Sequence, residues 1–206
     1  MPRIIVLFLA LGLLAGAVHA QQHLDWMIAY VDVNPDADGA RIYMLADGTG
    51  TPFAEARAPG GSLVDATITL RLTDIEDTPL VGYPAEDLFL FSSEGGVASC
   101  PGGLSADGPT GNDGTTTWTV PPEAGGHSIG ETVHIWVSGW EVYLPVSLSL
   151  VSSDINGDLT VDISDVAHFV QALYGNADEH ADFNNDGEVN LTEISMFTAA
   201  IGVGCP

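Results

Sequence analysis

Two twelve-residue stretches near the C-terminus carry oxygen donors at the same spacing. Residues 154–165 read DINGDLTVDISD and residues 182–193 read DFNNDGEVNLTE. Both place Asp, Asn and Asp at positions one, three and five, and an acid at position twelve. A hard cation such as Ca²⁺ takes six to eight oxygens, and a loop of this length delivers them from positions 1, 3, 5, 7 (a backbone carbonyl), 9 and 12. The ligands expected in the first loop are Asp154, Asn156, Asp158, Thr160 through its carbonyl, Asp162 and Asp165. In the second they are Asp182, Asn184, Asp186, Glu188 through its carbonyl, Asn190 and Glu193. Neither loop contains Cys or His, which favours Ca²⁺ over Zn²⁺.

The copies differ at position six, where the chain must turn with positive φ. Gly187 fits that requirement, whereas Leu159 in a left-handed conformation costs on the order of 1–2 kcal/mol. The first loop also holds four carboxylates, which repel one another without a cation. Two sites are therefore expected, the first better charged but worse shaped. Val189, at position eight, is the apolar residue that pairs with the partner loop in such modules, and Val161 stands at the same place in the first copy.

The elements that position these loops follow them. Val166, Phe169, Val170 and Leu173 recur at helical spacing after the first loop, and Ile194, Phe197 and Ile201 do so after the second. Asp154 and Asp182 are 28 residues apart, so the unit is a tandem loop–helix repeat. The segments before the loops, SLSLVSS and NADEHA, are poor helices, which makes each copy half of an EF-hand. Such paired half-hands over residues 154–202, with the ending GVGCP, resemble type I dockerin repeats. The resemblance implies docking onto a cohesin-type domain of a scaffold or cell surface, and a link to polysaccharide breakdown. It also implies partner contacts at loop positions ten and eleven, here Ile163 and Ser164, and Leu191 and Thr192. Both pairs are an aliphatic followed by a hydroxyl, a likeness that would permit docking in either of two orientations.

Upstream, the period changes to two. Ala66, Ile68, Leu70 and Leu72 alternate with Thr67, Thr69, Arg71 and Thr73, and Val133, Ile135 and Val137 alternate with His134, Trp136 and Ser138. Further strands are expected at 24–33, 40–45, 86–93, 115–120 and 142–150, separated by Gly-, Pro- and Asp-rich turns. This pattern predicts a two-sheet antiparallel β-sandwich. The turn residues Asp74, Pro79 and Gly82, then Thr110 and Gly114, resemble those of bacterial immunoglobulin-like repeats, and the likeness covers residues 62–140. The fold class expected is mainly β: an immunoglobulin-like sandwich plus a small α-helical dockerin.

Composition narrows the partners. The net charge is −24, there are four Lys and Arg together, and Arg71 is the last of them. With no basic footprint, nucleic acid is excluded as a partner. Residues 1–20 carry Arg3, an apolar run and small residues before QQ, the pattern of a secretory signal peptide cleaved after Ala20. No later segment is long and apolar enough to insert in a membrane, so an extracellular or cell-surface location is expected. The domains read as 1–20 signal peptide, 21–150 sandwich and 151–206 dockerin. Cys100 and Cys205 are allowed one bridge in an oxidising compartment, though their placement in different segments argues against it.

Catalysis has little support. GHSIG at 126–130 fits Gly-x-Ser-x-Gly, with Ser128 as nucleophile, but that chemistry needs a strand before the serine and a helix after it. Here a strand follows, and no triad or pair of carboxylates across a groove is found. The chain is expected to be non-catalytic, and a glycoside hydrolase is the least favoured reading. The alternative to a pure anchoring role is a carbohydrate-binding module using Trp136, within a cluster of Trp118, Trp136, Trp140 and Tyr143.

Overall fold

The computed structural model describes residues 20–24, 27–142, 145–174 and 179–206. The signal segment, apart from Ala20, and Tyr143 lie outside them. In chain order the strands are β1 (Ala20–Leu24), β2 (Met27–Val33), β3 (Ala40–Met44), β4 (Ala56–Arg57), β5 (Leu63–Val64), β6 (Ile68–Asp74) and β7 (Leu88–Ser92). There follow β8 (Val97–Ser99), β9 (Thr115–Trp118), β10 (Ala124–Gly126), β11 (Val133–Val137), β12 (Trp140–Glu141) and β13 (Leu148–Ser152). Two helices close the chain, α1 (Ile163–Tyr174) and α2 (Leu191–Ala200).

Three sheets, ordered β1-β2-β6-β9, β12-β11-β7 and β13-β3-β4-β5, surround one core, with a small β10-β8 pair beside them. The alternation in β6 and β11 does what period two requires. Ile68, Leu70, Leu72, Val133, Ile135 and Val137 are buried, while Thr69, Arg71, His134 and Trp136 are only partly covered. The turn residues act as staples. Asp74 Oδ1 accepts from the amides of Glu76 and Thr78, both at 2.8 Å. Thr110 Oγ1 donates to Leu80 O and accepts from Tyr83 N at 2.8 Å. Gly114 sits at φ 77°, so close to Leu72 O that a side chain could not be added.

One pairing departs from the antiparallel expectation. β13 runs parallel to β3, matching Leu148 with Ala40 and Ser152 with Met44. Every residue of β3 is buried, because it is covered on both faces. Ala40, Ile42 and Met44 enter the sandwich core. Tyr43 and Leu45 enter a second core with Val151, Val161, Phe169, Phe183 and Phe197. The two segments thus share a strand as a wall. The helical faces also differ slightly from the periodic reading: Phe169, Ala172, Phe197 and Ala200 are buried, whereas Val170 and Ile201 are exposed. Ile201 lies one residue past the end of α2, in a turn.

Candidate metal centre

The first loop leaves β13 with Ser153 between them. Asp154 is fully buried, and its carboxylate organises the turn: Oδ1 accepts from the amides of Gly157 (3.0 Å) and Asp158 (3.1 Å), and Oδ2 from that of Leu159 (2.7 Å). Asp165, at the other end, accepts from Asn156 N (3.1 Å) and Asp162 N (3.0 Å). The side chain of Asn156 donates to Asp158 Oδ2 (3.1 Å) and Ser164 Oγ (2.7 Å), and Asp158 Oδ1 accepts from Thr160 N (3.0 Å). Asp162 holds the start of α1 by accepting from Ser164 N at 2.7 Å.

The second loop repeats this wiring. Asp182 accepts from Asp186 N (3.2 Å) on Oδ1 and from Gly187 N (3.0 Å) on Oδ2. Asn184 Nδ2 donates to Asp186 Oδ2 (2.9 Å), and Asp186 Oδ1 accepts from Glu188 N (2.9 Å). Asn190 caps α2 by accepting from Thr192 N (2.8 Å), while Glu193 reaches back to Asn190 N (2.9 Å). Positions four and six are left-handed in both copies: Gly157 at φ 72° and Leu159 at 69°, Asn185 at 58° and Gly187 at 87°. Leu159 therefore takes the turn that its type disfavours, and its amide makes the same bond as that of Gly187.

Burial sets the electrostatics of the loop carboxylates. Burial pushes the Asp154 carboxyl up to about 6, against the opposing bond from the Leu159 amide and with further help from Asp165. Burial likewise raises Glu193, and its buried Oε1 has no hydrogen-bond partner. The exposed Asp162 moves the other way, lowered by the Ser164 amide and hydroxyl. A buried carboxylate oxygen without a donor, in an all-oxygen donor set, fits a hard cation. Among the described residues, no group of three or more His, Cys, Asp or Glu side chains is gathered in a metal-holding arrangement. The carboxylates are turned onto backbone amides instead, and the remaining donors of each loop are Asn side chains and carbonyls.

The loops do not stand free, as a reading of local spacing could suggest. Gly126 N donates to Asp154 O at 2.7 Å, and an added Cβ on Gly125 would overlap the Asp154 carboxylate. Tyr43 Oη bonds Ser153 Oγ at 2.6 Å, and the Tyr43 and Phe183 rings lie 5.3 Å apart. At the second loop, Asn185 Nδ2 donates to Arg57 O (2.8 Å) and Gly39 O (3.2 Å), and Gly60 N donates to Asn185 O (2.8 Å). Arg41, almost completely buried, donates to the backbone oxygens of Asp182 and Glu179 and lies 3.3 Å from Asp182 Oδ2. Burial lowers its pKa, while the charges of Asp182 and Glu179 raise it. The sequence pattern did not single out this arginine. It stands on the face of β3 that also carries Tyr43 and Leu45, so alternation from those two is the one signal that places it there.

Two further features concern the ends of the segment. The backbone of Val161 bonds the C-terminal tail, its amide donating to Val203 O (2.9 Å) and its carbonyl accepting from Gly202 N (2.8 Å), while Val189 packs against the core that holds Val161. Next to that tail, Cys205 is bridged to Cys100, with Cα atoms 5.8 Å apart, so the pairing disfavoured by sequence placement is present. The four residues expected to meet a partner are open to solvent. Ile163 and Leu191 are each 80% exposed, and Ser164 and Thr192 beside them are exposed.

Ser128 is fully buried, its amide donates to Leu150 O (2.9 Å), and its Oγ accepts from Leu150 N (2.8 Å). The serine braces the link between β10 and β11 against β13 and is not the tip of a strand–helix elbow. Trp118 is buried, Trp140 is exposed, and Trp136 is half-buried with the Phe89 and Phe91 rings 6.0 and 5.1 Å away.

Comparison with curated proteins yields no match, and neither does comparison with solved structures. The model of the dockerin type I domain family matches residues 152–202, the stretch that contains both loops and both helices. The chain thus carries a dockerin type I domain at its C-terminal end, joined to a β-rich part consistent with a fused immunoglobulin-like domain.

Proposed function

We propose that this is a secreted, non-catalytic protein whose dockerin binds two Ca²⁺ ions and attaches the β-sandwich to a cohesin-bearing scaffold or surface. Calcium would be held in the first loop by Asp154, Asn156, Asp158, the Thr160 carbonyl, Asp162 and Asp165. In the second it would be held by Asp182, Asn184, Asp186, the Glu188 carbonyl, Asn190 and Glu193. When bound, the cation offsets two of the negative charges in each loop and fixes the first turns of α1 and α2.

The observation that carries this reading is the pair of open sites at the two helix starts. Ile163–Ser164 and Leu191–Thr192 are exposed, while the first and last acids of each loop, Asp154 and Asp165, Asp182 and Glu193, are buried. Large aliphatic side chains at 80% exposure, repeated in both copies, suit a protein partner. The disulfide suits an oxidising compartment, in keeping with secretion. The test is binding to a panel of cohesin domains, in calcium and in chelator. Binding that requires calcium, survives Ile163→Asp or Leu191→Asp alone and is lost in the double variant supports the reading. Calcium-independent binding, or binding untouched in the double variant, overturns it.

A second reading rests on the aromatic row Phe89, Trp136 and Phe91 across β7 and β11. Rings on a sheet face can stack on sugar faces, which would make the sandwich a glycan-binding module delivered by the dockerin and tie it to polysaccharide breakdown. Retention on insoluble polysaccharides that is lost in Trp136→Ala supports this; no retention removes it.

A further inference from the structure

From the buried contact between Arg41 and Asp182 we infer that the sandwich lends the second calcium loop a fixed positive charge. Arg41 is thereby a positioning residue that holds this loop in shape without metal and weakens its calcium affinity. The inference rests on the calcium reading of the loops. Its grounds are geometric. Arg41 projects from β3 and is 7% exposed; its guanidinium binds the backbone oxygens of Asp182 and Glu179 and pairs with Asp182 Oδ2 at 3.3 Å. That oxygen is the one also held by the amide of Gly187. An open cleft of about 340 Å³ runs alongside, lined by Arg41, Glu179, Asp182, Asn185 and Asp186 among others. The described residues include three arginines: Arg57 donates to Gly61 O, and Arg71 pairs with Asp77. Neither of these two arginines pairs with a carboxylate of the first loop.

The sign follows from charge counting. At its ligand positions the second loop carries three carboxylates, on Asp182, Asp186 and Glu193. Without metal the ligand positions beside Arg41 carry three negative charges, and with Ca²⁺ in place they carry a net of one. A fixed cation in a poorly solvated site therefore stabilises the metal-free loop more than the loaded one. By linkage, whatever favours the empty form lowers affinity for the ligand. The two sites are then unequal for a reason unrelated to Leu159, and in the opposite order: the loop with the better glycine is the one with a built-in competitor for charge.

The experiment uses the full chain and Ca²⁺ itself. Wild type, Arg41→Met and Arg41→Lys are melted in chelator and in saturating calcium, and titrated calorimetrically. The amide resonances of Leu159 and Gly187 report each loop separately. Arg41→Met should lower Tm in chelator more than in calcium, and tighten binding at the Gly187 loop by about tenfold or more while leaving the Leu159 loop unchanged. Arg41→Lys, which keeps the charge, should retain the wild-type affinity. Equal Tm losses in both conditions, weaker binding at the Gly187 loop, or an Arg41→Met protein that fails to fold even in calcium would each reduce Arg41 to a structural prop and overturn the inference. No calcium response in the wild type removes the calcium reading itself, and the inference with it; this outcome is distinct because it is seen before any variant is compared.

Discussion

Leu159 and Gly187 occupy equivalent places with φ of 69° and 87°, and both amides bond the leading aspartate of their loop. The mismatch visible in the sequence is therefore absorbed as strain, not avoided by a different turn. Leu159→Gly should relieve the left-handed penalty, offset in part by the extra freedom of glycine in the unfolded chain. A net gain of about 0.5–1 kcal/mol in denaturant unfolding is expected. A loss of stability would mean that the leucine side chain contributes packing that outweighs the strain. At this scale the sequence was informative wherever the relevant partner lay within a few residues. The turn built on Asp74 is local and stands where its residues place it, and both helices follow the loops as the repeat implies. Arg41 was not legible because its partner is 141 residues away, and the acids near it in sequence, Asp36 and Asp38, are not the one it pairs with.

Among the elements, β3 and β10 decide how the loops are held. The strand ARIYM reads as a strand from its residues, but only the structure shows that both faces are covered, one by the sandwich core and one by the aromatic cluster of the C-terminal segment. Strands too short to show a period, such as β4, β5, β8, β10 and β12, have no counterpart among the strands expected from the sequence. β10 is the consequential one, since its glycines let Asp154 approach the sheet. Gly125→Ala would force a Cβ into the Asp154 carboxylate, an overpacking expected to cost about 1–3 kcal/mol. The first loop should suffer selectively: calcium titration should show one weakened site and one retained. If both sites keep their affinity, the close approach is slack that the loop can relinquish. The parallel pairing of β13 with β3 was equally hidden, because alternation fixes which face a residue joins but not the direction of the neighbouring strand.

For the whole molecule, the boundary drawn near residue 150 marks a change of period but not a break in packing. The first loop is tied down through β10, Tyr43 and the C-terminal tail, and the second through Arg41 and Asn185. Tyr43, Leu45 and Val151 share a core with Phe169, Phe183 and Phe197. Calorimetry of the full chain in calcium should accordingly give one cooperative transition; two well-separated transitions would show that the shared core does not couple the halves. The Cys100–Cys205 bridge closes a separation of 105 residues. Its removal by Cys100→Ser with Cys205→Ser should lower stability by about 2–4 kcal/mol, measured by denaturant unfolding of the double variant against wild type. An unchanged midpoint would mean that the tail is held by its contacts with Val161 alone. The bridge was allowed by cysteine count but not legible from position, since sequence distance says nothing about where a tail returns.

The single residue between β13 and the first loop has a mechanical meaning. Attachment modules are commonly joined to their cargo by a tether, which lets the cargo sweep a volume and raises its local concentration without fixing its direction. Here Ser153 is buried and bonded to Tyr43, so the joint has no slack. Whatever grips the starts of α1 and α2 would hold the Phe89–Trp136–Phe91 face at a set distance and angle, as a bracket does a shelf. Exchanging the grip from one helix start to the other would then re-aim that face as a unit rather than merely loosen it.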